Sequence, residues 1–278
     1  MSTSLGVVLV LNLRPGPSIG YSVVPAEEGH EPRERDYFFA PAFALGGALA
    51  GAGAVSLLGP RIGMLVAALP LALNWKATDR RRVPDAVLAS TLGKAILASA
   101  PEQAVLLLGG DNDTYAVWYT QQVLRVRRDV TPVTLPLLPA HWYRHELQRR
   151  HQLLANGGAT WLGEQATLSE IARRSRELGR PLAVALSVPA SLRQPLAERW
   201  VVRGMVVFPA EKGSGSERYL LDSAGTAAVD SLIRGVIAAG AGPARDPAGR
   251  YVQRLLRCPA EVLSRWTQAA LDPICELR

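Results

Sequence analysis

Hydrophobic positions along this chain follow two regimes. Between residues 37 and 75 they form long unbroken runs, whereas from residue 83 onward they recur at helical spacing or in short blocks bounded by glycine, proline and charge. Residues 37–60 carry no charged side chain, a stretch of about 24 residues that at a rise of about 1.5 Å per residue crosses a hydrocarbon core of ~30 Å. Gly47 and Gly51 lie one helical turn apart and, with Gly53, leave a smooth face for close helix contact. Gly59-Pro60-Arg61 reads as a tight turn, and the shorter apolar run 62–75, with Pro70 inside it, predicts a second membrane helix. Residues 4–13 are apolar but too few to span, and the proline- and glycine-rich residues 14–30 read as a loop.

Past residue 83 the pattern is that of an α/β domain. Val83-Pro84-Asp85 is a helix start, and Val87, Leu88, Leu92, Ile96 and Leu97 make an apolar stripe over 86–100. Residues 104–108 are five apolar residues, too few for an independent helix and suited to a strand buried on both faces; Gly109-Gly110 then turn the backbone sharply. Asp111-Asn112-Asp113-Thr114 follows at a helix start, where Asp113 or Asp111 can accept from free backbone N–H groups and is favoured by the helix dipole. A second strand over 130–135 completes a βαβ unit. Helices are predicted over 141–154, 168–178, 226–239 and 251–271, strands over 181–188 and 199–208, and a flexible turn over 211–217.

Composition changes this picture little. A net charge of +7 and a pI near 9.8 come mainly from arginine. Arg80-Arg81-Arg82 and Arg149-Arg150 are short runs without interleaved aromatics or glycines, so a nucleic-acid partner is not expected. Cys258 and Cys275 match no metal spacing; a disulfide and two unpaired thiols both fit. No cofactor fingerprint is present, since Gly109-Gly110 alone is neither a P-loop nor a dinucleotide motif.

Two clusters could carry chemistry. Asp111, Asn112, Asp113 and Thr114 offer hard oxygen atoms to a sugar, an acceptor or a divalent metal held against a diphosphate; the structural alternative is that they cap the helix and fill the turn. Arg33 and Arg35, before the aromatic Tyr37-Phe38-Phe39, match the geometry of a donor phosphate or a lipid headgroup; pairing with Glu34 and Asp36 is the alternative. His141 and His145 lie one turn apart with Glu146 beside them but lack zincin order, and read as a solvated or packed helix face.

Three blocks carry a resemblance: EPRERDYFF over 31–39, ALNWKATDRRR over 72–82, and GGDNDTYAVWYTQQVLRVRRDVTPVTLPLL from Gly109, leading to HWYRHELQR. In that order they resemble the C-terminal half of a bacterial multi-spanning membrane family similar to protein O-mannosyltransferases, over about residues 7–150. The resemblance implies sugar transfer from a polyprenyl-phosphate donor to a hydroxyl acceptor at the outer face of the membrane. It also implies that the catalytic carboxylate lies upstream of this chain, which would be inactive alone, either as a fragment or as a reduced partner protein. Pro139-Ala140-His141 stands where that family has a polar Asn-Thr-Asp, so no role passes to that carboxylate.

The expectation is therefore a multi-pass cell-membrane protein with membrane lipid, and a polyprenyl-phosphate-linked sugar, as partners. It has a truncated membrane segment and polar loop over 1–36, two transmembrane helices over 37–75, a Rossmann-like extracytoplasmic α/β domain over 76–215 and a helical tail over 216–278. A non-catalytic membrane-anchored interaction or scaffold module is the alternative. A metal- and nucleotide-sugar-dependent transferase using Asp111 and Asp113 is a third reading, and it requires a cytoplasmic domain.

Overall fold

The computed structural model describes residues 40–78, 85–155, 160–210, 217–238 and 247–266. Two compact units divide near Arg82 and Val83. In the first, helix α1 (Ala40–Thr78) takes up the whole apolar region. Only Gly59 departs from helical geometry, with φ 78° and ψ 164°, a conformation open to glycine and followed by Pro60, whose fixed φ suits a helix start. A Cβ on Gly63 would lie 2.4 Å from the Val55 Cα, so the two sides of the break press together at a point where only glycine fits. The expectation of two membrane helices is corrected here to one candidate span, Pro41–Trp75, with its side chains unburied. The physical reason is that no loop separates the two apolar runs: helical structure resumes directly after the kink at Gly59, with Arg61 inside the next turn.

The second unit is α/β. Its described elements are α2 (Asp85–Ser99), β1 (Val105–Leu108), α3 (Asp111–Gln122), β2 (Thr131–Thr134), α4 (His141–His151), α5 (Glu164–Glu177), β3 (Leu182–Ala185), the short α6 (Ala190–Arg193), β4 (Trp200–Arg203), β5 (Val206–Pro209), β6 (Tyr219–Leu221), α7 (Ser223–Ala238), α8 (Pro247–Leu255) and α9 (Cys258–Arg265). The six strands run in the order β2-β1-β3-β5-β4-β6. β1 pairs parallel with β2 and β3, β5 pairs antiparallel with β3 and β4, and β6 is parallel to β4. The α/β class is as expected, but the sheet is mixed rather than the parallel Rossmann-like sheet read from the sequence. The parallel pattern ends at β3 because residues 199–208 are not one strand: they double back at Gly204 as the β4–β5 hairpin. The short β6 was also not anticipated, and the helix expected over 251–271 is broken between α8 and α9, where Pro259 opens a new helix.

Alternation along the strands explains how both faces are filled. Val105 and Leu107 point into one apolar core with Leu147, Leu168 and Ile171 of α4 and α5; Leu106 and Leu108 point into the other with Leu92, Ile96 and Val117 of α2 and α3. All four residues of β1 are buried for this reason. Each such side chain contributes about 1.5–3 kcal/mol of hydrophobic stabilisation. α5 shows the matching helical logic: Leu168, Ile171, Ala172 and Ser175 face inward while Arg173 and Arg174 pair with Glu177 on the outside. α2 approaches α3 so closely that a Cβ on Gly93 would lie 2.2 Å from the Ala116 carbonyl oxygen.

The β4–β5 turn is fixed by two helices. The Gly204 N–H donates to Thr226 Oγ1 of α7 at 3.0 Å, and the Met205 N–H to Ser99 Oγ of α2 at 2.9 Å. Gly204 has φ 54°, and a Cβ there would lie 2.4 Å from Ser99 Oγ and 3.0 Å from Val229. Gly204→Ala therefore meets both a backbone penalty and a collision, and is expected to lower stability by about 2–4 kcal/mol. Denaturant unfolding of the detergent-solubilised chain, followed by circular dichroism, checks this; a change below about 0.5 kcal/mol would mean the turn relaxes freely.

Candidate functional site

The acidic turn after β1 divides into an inner and an outer half. Asp113 is buried, and its carboxylate accepts from the Gly109 N–H at 2.9 Å, the Gly110 N–H at 3.0 Å, the Thr114 N–H at 3.0 Å and the Ser187 hydroxyl. As the third residue of α3 it reaches back to the residue before the helix, which is the carboxylate half of a capping box. Thr114 is also buried, with its hydroxyl 3.3 Å from that of Thr134 on β2. Asp111 and Asn112 remain exposed on the first turn of α3. Four residues adjacent in sequence are thus not gathered at one point. Among the described residues no group of three histidines, cysteines or acids is placed to hold a metal.

This turn lies at the carboxyl ends of β1 and β3, where the chain passes from one side of β1 to the other. Open α/β sheets bind ligands in the crevice at such a place. Here the crevice is shut: a Cβ on Gly109 would lie 2.6 Å from the Ser187 carbonyl oxygen, and the Ser187 hydroxyl closes the remaining gap onto Asp113. The space left beside Asp113 and Ser187 is about 20 Å³, no more than one water needs.

Arg127 and Asp129, within the Arg-x-Asp-Val block of the sequence, also have a structural task. The Arg127 guanidinium donates to the carbonyls of Leu97, Ala100 and Pro101, at and beyond the end of α2, and forms a two-point pair with Asp129. Asp129 is held at about 2, chiefly by hydrogen bonding from Arg127. The pair accounts for Arg127 being kept at φ 48°, a conformation side chains rarely adopt.

An open cleft of about 510 Å³ lies on the other side of α3, between α3, the outer edge of β2 and α4. Trp118 and Gln121 line it from α3, Arg128 from the loop before β2, and Trp142, Arg150 and His151 from α4. On α4 the positions 142, 146 and 150 form the outer stripe, while 143, 147 and 151 form the inner one. The β2 edge offers little to a partner strand. Pro132 has no N–H, and the Thr134 N–H is taken by the buried Tyr143 hydroxyl at 2.8 Å. Gln121 Nε2 occupies the Val130 carbonyl at 2.9 Å. The cleft is therefore a place for side-chain contacts rather than for strand addition.

Its electrostatics are basic. Glu146, the one carboxylate lining it, is held at about 2 by hydrogen bonds from Arg149 and Arg150, so it stays ionised and paired at neutral pH. Burial pushes the His151 imidazole below its ordinary range, reinforced by the positive charges of Arg180 and Arg150. His141 and His145 stack at 6.3 Å on the exposed side of α4, as a solvated face. Arg33 and Arg35 lie outside the described residues, as does Cys275; Cys258 is buried at the start of α9. The cleft was missed in the sequence, although the Trp142, Glu146 and Arg150 stripe at helical spacing was a legible signal of it.

Two expectations follow. Asp113→Ala strands buried donors from two loops and is expected to cost about 2–4 kcal/mol, whereas Asp111→Ala costs less than about 0.5 kcal/mol; thermal or denaturant unfolding of the two variants separates a structural carboxylate from a merely local one. Because His151 binds its proton more weakly when folded, the unfolded chain holds more protons below its own pKa of about 6.5. Stability is therefore full above that value and falls on acidification below it. Unfolding midpoints of wild type and His151→Gln between about pH 5 and pH 8 should converge in their slopes only at the upper end.

A family model described as TMEM260-associated domain 2 matches residues 89–156. That segment runs from within α2 to just beyond α4 and contains the acidic turn, the Arg127–Asp129 pair and every residue lining the cleft. No curated protein and no solved structure matches the chain. The resemblance to the O-mannosyltransferase-like family is corrected by this finding, since its longest block, from Gly109 to Arg149, falls inside the segment matched by a TMEM260-associated domain, which points to a relation with membrane proteins and not to that transferase family.

Proposed function

We propose that this chain is a non-catalytic, membrane-anchored binding module, in which α1 provides the anchor and the cleft between α3 and α4 provides the binding site. The observation that carries this reading is the use of Asp113: its carboxylate is spent on Gly109, Gly110, Thr114 and Ser187, at the one place where this sheet topology would otherwise hold substrate. The cleft, by contrast, is open and large enough for a small molecule, and its one carboxylate is locked in ion pairs. Glu146 held at about 2 makes a poor general acid near neutrality. Sugar transfer from a polyprenyl-phosphate donor was an implication of the corrected resemblance, and no feature of the turn or the cleft adds to it.

Anchoring is supported by the length and apolarity of Pro41–Trp75 and by the membrane-protein relation of the matched domain. Native mass spectrometry of the chain released from its own membranes tests the whole reading. A co-purifying adduct is expected that survives Asp111→Ala, is lost in Trp142→Ala and keeps its mass on prolonged incubation. An adduct that disappears in Asp111→Ala, or that changes mass with time on the wild type alone, would move the function to the acidic turn. Alkaline extraction should leave the chain in the membrane fraction; its release would remove the anchor.

A further inference from the structure

The residues of the cleft also constrain what it binds, granted the reading of the cleft as the binding site. Two indoles belong to it, one from each helical wall. Trp118 is half-buried, and Trp142 is 59% exposed, an apolar ring left largely in water. Tyr115 packs edge-on to Trp118 at 5.8 Å, and Gln121 is anchored by its amide to the Arg127 and Val130 carbonyls, so the α3 wall is held in place before any ligand arrives. A half-buried ring beside a fixed wall is a stacking surface for another flat ring, and such stacking contributes beyond simple burial.

The charges around these rings do not balance. Arg149 and Arg150 share the single carboxylate of Glu146, which leaves one positive charge in excess. Arg128 lines the cleft, is exposed, and has no ion-pair partner among the described residues. Behind the floor, Arg180 gives its guanidinium to the Gln103 and Ala104 carbonyls and to Thr131 Oγ1, neutral acceptors that leave its charge uncompensated. His151 is pushed below its ordinary range first by burial, with the charges of Arg180 and Arg150 adding to the effect. A basic cleft with low-dielectric walls concentrates anions, and guanidinium groups favour the planar or tetrahedral oxygens of carboxylate and phosphate.

We propose that the α3–α4 cleft binds an aromatic anion, a flat ring bearing a phosphate or carboxylate, with Trp118 and Trp142 on the ring and Arg128 and Arg150 on the charged group. The volume of about 510 Å³ accommodates such a molecule with room for a substituent. Lys94, on α2, does not line the cleft.

The test titrates the whole chain, in nanodiscs of zwitterionic lipid, with phenyl phosphate, glucose 1-phosphate, benzyl alcohol and inorganic phosphate, following tryptophan fluorescence and calorimetric heat. Phenyl phosphate is expected to bind at least about tenfold more tightly than each of the other three, and more weakly at high salt. Arg128→Gln and Trp142→Ala should each weaken it about tenfold, with Lys94→Gln unchanged. Equal binding of inorganic phosphate would reduce the site to a general anion patch and overturn the proposal. Equal binding of glucose 1-phosphate would overturn the flat-ring part, and equal binding of benzyl alcohol the anionic part. If phenyl phosphate fails while the native adduct of Trp142-dependent occupancy persists, the ligand class is wrong and the cleft is still the binding site. If both fail, the binding reading falls with it.

Discussion

Asp113 accepts hydrogen bonds from the turn after β1, from the first turn of its own helix and from the loop after β3, so one carboxylate ties its own strand–helix junction to a loop distant in sequence. The arrangement works only because Gly109 has no side chain where the Ser187 carbonyl passes, and the two loops close on each other over the carboxylate. A buried carboxylate without these donors would be costly; with them it fixes how α3 leaves β1 and hence where its far end stands beside the β2 edge. The cleft on the opposite side of α3 depends on that orientation. Stability and the candidate site are in this sense the same constraint viewed from two sides of one helix.

A similar economy appears at the other places where the chain reverses. Arg127 closes the exposed carbonyl end of α2 and fixes the entry to β2 through Asp129, while Ser99 and Thr226 seat the β4–β5 turn against two helices. Polar residues at these positions are consumed by backbone groups that would otherwise be unpaired. What remains uncommitted is the surface between α3 and α4, where indoles and guanidinium groups face solvent. The segment matched by the TMEM260-associated domain 2 model covers both the bonds that set this geometry and the surface they leave open.

The apolar helix α1 follows a different rule. Along α1 the side chains are apolar almost throughout and exposed, which is a stable arrangement only against lipid or other apolar surface. Glycine at positions 59 and 63 serves the backbone there, one by its positive φ and the other by close contact with Val55.

The sequence by itself determined the apolar stretch, the α/β class, the strand–turn–helix at residues 104–122, the inward stripe of α2 and the presence of α5, because each is written in local periodicity that neighbouring residues enforce. It also offered both fates of the acidic turn, binding or capping, without choosing between them. Only the tertiary structure made the choice, since Ser187, which satisfies Asp113, and the Ser187 carbonyl, which excludes a side chain at Gly109, come from a loop more than seventy residues away. The reversal at Gly204 was hidden for the same reason: only Arg203-Gly204-Met205 separates the β-favouring Val201-Val202 from Val206-Val207-Phe208, and the helices that seat its turn are remote in sequence. The cleft, too, arises from α3 and α4 flanking an edge strand from the two faces of the sheet, and a pattern that records only which face of a helix is apolar does not record what will stand beside its other faces.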